Sequence, residues 1–418
     1  MKKLLALLTI GLATLAFAQE KTTLSVAVYP DLDSVIEAVL PQFQEANPDI
    51  DVELRVLAHG DHHNALVTAL ATGSGAADVV AIDVEFIAKF VSEGGLTDLS
   101  EAPFEASALQ DQFASYAWTQ ASTTDGRQVA IPTDLGPGVM YYRRDLLQEA
   151  DTPLEQVTES WDTYLDYGRQ VSRDTNGDGR NDVFLVANAG DVARAIYQAD
   201  IPEGQGVFFN ADGEPVIDSA RFRDAFAVAK TIREEELDAQ IEAWTNEWYE
   251  GFKSGTVATQ LSGAWLLGHL QNWMAPDTAG LWGAANTPNG VYVSWGGSFY
   301  GIPEQSQNKE AAWKLVQFLT DNPQAQLAAL DVTGAFPALT SVYDDETFAQ
   351  PIAFLDGQPA RELFATVAQN IEGTATNPND VVALEIVDTA LSQVLSEGRD
   401  IDSALAEAQR LVERRTRR

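Results

Sequence analysis

The chain has 418 residues, too many for one ordinary hydrophobic core, and its 45% hydrophobic and 21% charged residues exclude a chain disordered by composition. A formal charge of −36 excludes nucleic acid and anionic lipid headgroups as partners; it reads as a solvated acidic surface, with a cationic ligand as the alternative. The absence of cysteine excludes disulfides, thiolate metal sites, cysteine nucleophiles and a cysteine-borne lipid anchor.

Lys2 and Lys3 open the chain, Leu4 to Phe17 is mostly apolar, and Ala16-Phe17-Ala18 is a small-x-small cleavage site. This pattern predicts a secretory signal peptide over 1–18. The apolar run is shorter than the roughly 20 residues of a membrane span. The expectation is an exported, unanchored protein, free in a periplasm enclosed by an outer membrane.

Leu24 to Val28 is a strand candidate. Val35, Ile36, Val39, Leu40 and Phe43 recur at helical spacing, with Pro41 expected to kink the helix. Asn47-Pro48-Asp49 is a turn, and Ile50, Val52, Leu54 and Val56 alternate as a second strand. Leu66, Ala69 and Leu70 suggest a helix stopped near Gly73, and Asp78 to Asp83 reads as a buried strand. This β-α-β-α-β rhythm predicts an α/β lobe with a mostly parallel sheet. It continues through Val129–Pro132 to Val139–Tyr142, and the chain ends in a helix with Ala404, Leu405, Ala408, Leu411 and Val412 on one face, capped by Asp400 or Asp402.

Asp174-Thr175-Asn176-Gly177-Asp178-Gly179-Arg180-Asn181-Asp182 follows the first nine positions of a calcium-binding loop. Asp174, Asn176, Asp178, the Arg180 carbonyl and Asp182 fall at ligand positions, and Gly179 at the sharp turn. Position twelve is Leu185, not the bidentate Glu, so a structural Ca2+ needs a remote carboxylate or water; the alternative is an Asx-rich surface turn. No other cofactor is required.

Several segments, in order, resemble the family 1 extracellular solute-binding proteins, the sugar receptors of ABC importers. They are Phe43 to Ile50, Leu66 to Gly73 with Ala77 to Val80, Ile131 to Leu147, Gly255 to Trp265, Asn308 to Trp313, and Gly334 to Ala338. The resemblance implies the two-lobed periplasmic binding protein fold (type II), each lobe a sheet flanked by helices. It places one lobe at 19–133 and 302–341 and the other at 134–301 and 342–418, with crossings near Thr133 and Tyr300. It further implies a monomer that closes on a ligand between the lobes and delivers it to membrane permease subunits.

A sugar cleft needs aromatic rings for C–H faces, polar groups for hydroxyls, and glycine where backbone must come close. The resemblance places a stacking tryptophan at Trp265. Trp295, Gly296, Gly297 and Phe299 fit a cleft wall at the second crossing, and Trp244 stands ahead of a helix with Trp248. Loops after strand ends nominate Tyr29, Asp31, Asp83 and Glu85, with Asp134 at the first crossing beside Gly136 and Gly138. His62, within His59-Gly60-Asp61-His62-His63, is a candidate for a hydroxyl contact; a zinc site is disfavoured because adjacent histidines point apart. Unlike the maltose-binding members, the chain has no tryptophan in Asp83–Phe86 or Asn377–Leu384, so maltose is not implied.

Two other readings stand beside the sugar receptor. One is the same fold binding a polyamine or peptide. The other is a secreted carbohydrate-active enzyme using paired carboxylates, although no Gly-x-Ser-x-Gly or His-Glu-x-x-His motif occurs.

Overall fold

A computed structural model describes residues 21–123, 125–202 and 204–416. The expected signal peptide lies outside the described residues. Among them nine strands run in chain order: β1 (Thr22–Val28), β2 (Ile50–Val56), β3 (Val79–Asp83), β4 (Ala130–Arg143), β5 (Phe184–Val186), β6 (Val257–Gly263), β7 (Trp282–Ala285), β8 (Ser294–Gly301) and β9 (Phe336–Pro337).

Leu24, Val26 and Val28 are buried and alternate with less buried neighbours, so β1 shows the period-two pattern of a strand packed on one face. It pairs in parallel with both β2 and β3. Parallel neighbours need long crossovers. The helices Leu32–Ala46 and His59–Thr72 supply them. The first runs on through Pro41, which lies with Glu37 on its exposed face. The final helix, Ile401–Thr416, begins at Asp400, whose Oδ1 accepts from the Ser403 N–H at 3.0 Å.

The strand order is β2-β1-β3-β8-β4-β6-β5, with β7 and β9 also pairing with β4. At 14 residues β4 is long enough to serve two sheets. Ala130–Pro137 pairs with β8, and Gly138–Arg143 pairs with β6 and β7. The exchange of partners falls where the register slips, between Leu135 and Pro137. A Cβ on Gly136 would stand 2.0 Å from the Trp295 carbonyl oxygen, so only glycine lets the two crossing strands approach. Gly297, at φ 134°, faces the Asp134 carbonyl oxygen in the same place.

One apolar core gathers Val26, Phe43, Ile82, Phe299 and Trp313 around the parallel strands. It continues across the crossing through Tyr141, Trp248 and Trp282 and takes in Val342 to Ala368. The other gathers Tyr164, Val186, Phe222, Phe226, Val387 and Leu405. A third connection, 371–379, joins the helix Ala360–Asn370, on the first core, to Asp380–Glu397, on the second.

Candidate binding site

The carboxyl ends of β1, β2 and β3 all point to one edge, where open α/β sheets place their ligands. Tyr29 follows β1 and donates its hydroxyl hydrogen to Ser298 Oγ at 2.7 Å. The helix after β2 begins with His59, and β3 ends at Asp83, whose Oδ1 caps the next helix by accepting from the Glu85 N–H at 2.8 Å. Its Oδ2 stands 3.4 Å from His59 Nε2, and that interaction raises the His59 pKa. His63 Nε2 accepts from the Asp83 N–H at 3.0 Å, which leaves the proton on Nδ1 to donate to the His59 carbonyl at 2.8 Å. Burial pushes the His63 pKa down to about 4, and Phe86 stacks on its ring at 4.1 Å.

Asp134 faces this group from the crossing strand. Its Oδ1 is buried with no protein partner, and burial pushes its carboxyl up to about 7, helped by the charges of Asp83 and Asp31 and opposed by a hydrogen bond with Ser298. A buried acceptor left open at a lobe junction suits a ligand hydroxyl.

The opposite wall is aromatic. Trp265 follows β6 and donates its indole N–H to the Trp295 carbonyl at 2.7 Å, which fixes the ring. Trp244 stacks on it, with centroids 5.6 Å apart and planes at 17°, yet remains 53% exposed. Trp244 holds a φ of 66°, strained for a bulky residue, and its carbonyl accepts from the Tyr249 hydroxyl at 3.2 Å. His269 lies edge-on to both tryptophans and brings Nε2 to 3.7 Å from Asp31 Oδ2, joining the two walls.

A cavity of about 310 Å³ adjoins these walls at Gly296. Glu85, Tyr116, Arg194, Gln198, Tyr292 and Asp380 line it. Arg194 donates to Glu85 Oε1 at 3.0 Å from the other side of the crossing and covers the Trp295 ring at 5.3 Å. Asp380 leaves Oδ1 buried without a partner, and burial pushes its pKa up to about 7.

The structure thus brings together Tyr29, Asp31, Asp83, Glu85, Asp134, Trp265 and Trp244 from the sequence-based set. It assigns other work to the rest. Phe299 is a core residue at 2% exposure, because β8 lies between β3 and β4 and its last four residues are all buried. Trp295 is buried beneath Arg194 and offers the site only its carbonyl, already taken by Trp265. His62 is buried and spends Nε2 on the Ala81 carbonyl at 2.8 Å. Gly297 serves the positive φ and close approach of the crossing strand, whereas Gly296, also at positive φ, lines the cavity. Sequence reasoning meets His59 only within the histidine run and does not nominate His269, Arg194 or Asp380. Spacing carries a signal for two of them: His59 and His63 are i, i+4, as are Trp265 and His269.

The calcium-type loop is closed by hydrogen bonds among its own groups. Asp174 accepts from the N–H groups of Asn176, Gly177 and Gly179, and Asp182 from Thr175 and Asn176. Asn176 and Asp178 cap the N–H groups of Asp178 and Arg180, as in Asx turns. Leu185, at the twelfth position, is fully buried in the second core. Among the described residues no group of three or more His, Asp or Glu side chains is placed to hold a metal.

Residues 38–355 match the bacterial extracellular solute-binding protein family. The chain belongs to that family. A lactose-binding protein of Rhizobium radiobacter is 26% identical over 393 residues, covering 89% of this chain and 87% of the relative. An arabinooligosaccharide-binding protein of Halalkalibacterium halodurans is 24% identical, covering 91% and 86%. A solved family 1 extracellular solute-binding protein superposes with a TM-score of 0.81 at 24% identity, covering 94% of this chain and 99% of that one. The binding protein of B. animalis subsp. lactis in complex with β-1,6-galactobiose gives 0.76 at 22% identity, covering 94% and 97%. The fold is therefore the two-lobed α/β fold of solute-binding proteins, as the segment resemblance implies. No described helix is long and apolar enough to cross a membrane.

Proposed function

We propose that this solute-binding protein captures a sugar of more than one ring between its lobes and hands it to the permease of an ABC importer. The observation that carries the reading is the pairing of a fixed, stacked aromatic wall, Trp265 with Trp244, and a wall of hydroxyl-binding groups, Asp83, His59 and Asp134. Rings accept the C–H face of a sugar, and the open carboxylate oxygen accepts its hydroxyl. Relatives that bind lactose and arabinooligosaccharide support the ligand class. On this reading the protein performs no chemistry, acts as a monomer and works after export and cleavage of its leader.

The test is a thermal-shift screen of the purified protein against mono- and oligosaccharides. A ligand at 100 times its Kd stabilises the native state by about 2.7 kcal/mol. Trp265→Ala removes the shift and keeps the fold. An absence of any shift across the panel sinks the sugar reading, and turnover of a chromogenic oligosaccharide sinks the non-enzymatic one.

A further inference from the structure

Beyond the cleft, the aromatic wall does not end. Trp265, His269 and Trp273 follow at intervals of four, the first just ahead of the segment Leu266–Met274 and the others on it; the segment begins as an α-helix and widens into a π-turn over Leu270–Met274. Such turns are rare and mark functional positions. Trp273 lies with its ring 5.7 Å from His269 and 5.0 Å from Tyr249, edge-on to both. Its indole N–H is fixed to His269 Nδ1 at 3.1 Å, yet the residue is 48% exposed. Five rings therefore run without a break from Trp265 and Trp244, through His269, to Trp273 and Tyr249. Full burial of a large apolar side chain stabilises the folded state. Trp244 and Trp273 forgo much of that gain while being held in position by hydrogen bonds from or to their neighbours.

We infer that Trp273, backed by Tyr249, is an outer stacking platform for a ring of an oligosaccharide whose first rings occupy the cleft. This rests on the sugar reading and extends it: the ligand class is an oligosaccharide longer than the cleft itself holds. Continuity with the Trp265–Trp244 pair favours the same ligand over an unrelated partner, because Trp273 lies two ring contacts from Trp265. The fixed indole N–H leaves Trp273 only a ring face to offer, which suits the C–H face of a sugar.

The experiment titrates the wild type, Trp273→Ala and Trp273→Phe calorimetrically with galacto-oligosaccharides and arabino-oligosaccharides of two to five rings. In Trp273→Ala the two-ring members keep their affinity and the four- and five-ring members weaken about ten-fold. Trp273→Phe keeps the ring but loses the bond to His269, and retains most of the long-chain affinity. Equal loss at every length, no loss at any length, or a Trp273→Phe that matches Trp273→Ala overturns the platform while leaving the sugar reading intact. A wild type that binds no member of either series overturns both.

Discussion

Asp134 is a residue kept at a cost. Its carboxyl is held near pKa 7 by burial, against an ordinary value near 4. Between pH 4 and 7 the unfolded chain has released this proton and the native chain has not, so the group withdraws stability as pH rises through that window. Asp134→Asn removes the titration. The variant should gain about 1–3 kcal/mol over the wild type at pH 7.5 and much less at pH 4.5. Melts at the two pH values measure the difference, and a gap independent of pH refutes the assignment. The same variant should bind sugar less well, because the open Oδ1 acceptor becomes half of an amide. Histidines test the geometry more sharply. His63 gives up a ring acceptor if it gains a proton, whereas His59 gains an ion pair with Asp83. In ¹⁵N spectra His63 should stay neutral until about pH 4, and His59 should titrate above the ordinary histidine value. A common midpoint for the two rings would show that the helix start is arranged otherwise. These residues also mark the limit of what the sequence discloses. Asp83, Asp134 and Trp265 follow strand ends or family segments and can be nominated from order alone. His62 and His63 are adjacent, and only the direction of the helix relative to β3 decides which one turns toward the cleft wall and which toward the Ala81 carbonyl.

Elements show the same division between what pattern reveals and what packing decides. The alternation in β1, the buried run Val79 to Ile82 in β3 and the apolar face of the last helix are all legible, because each is a local pattern. The double service of β4 was not, since both halves of the strand are apolar and neither half names its partner. Its glycines do carry the information: Gly136 and Gly138 allow close approach, but of β8 and the Val293 segment rather than of a ligand. Gly136→Ala would force Cβ against the Trp295 carbonyl and should destabilise by about 1–3 kcal/mol. Gly60→Ala, within the helix His59–Thr72 and with nothing near its Cβ, should stabilise by about 0.5–1 kcal/mol. Urea unfolding of the pair separates a glycine needed for approach from one that is only tolerated. Equal effects would remove the argument that β4 and β8 are held at this spacing by the absence of a side chain.

At the scale of the molecule, the ion pairs that join the lobes beside the candidate site include Glu85 with Arg194 at 3.0 Å and Asp31 with His269 at 3.7 Å. The Glu85–Arg194 pair is partly exposed, so it is worth about 0.2–1 kcal/mol, or at most a five-fold change in an equilibrium. That is too small to hold the lobes shut alone and large enough to bias closure once a ligand fills the cleft. Glu85→Gln with Arg194→Gln should therefore weaken binding of an uncharged sugar two- to five-fold, chiefly through faster release, without lowering the melting temperature of either lobe's core. Salt distinguishes the origins of the effect. Screening at ~0.5 M ionic strength weakens the exposed pair, so wild-type affinity should fall modestly with salt while the double variant stays flat. A cationic ligand drawn by the acidic chain would instead keep a steep salt dependence in the double variant, since the attraction would lie between protein and ligand and not across the lobes. Calorimetric titrations of both proteins at low and high salt decide between a latch that favours the closed form and a site that recognises charge.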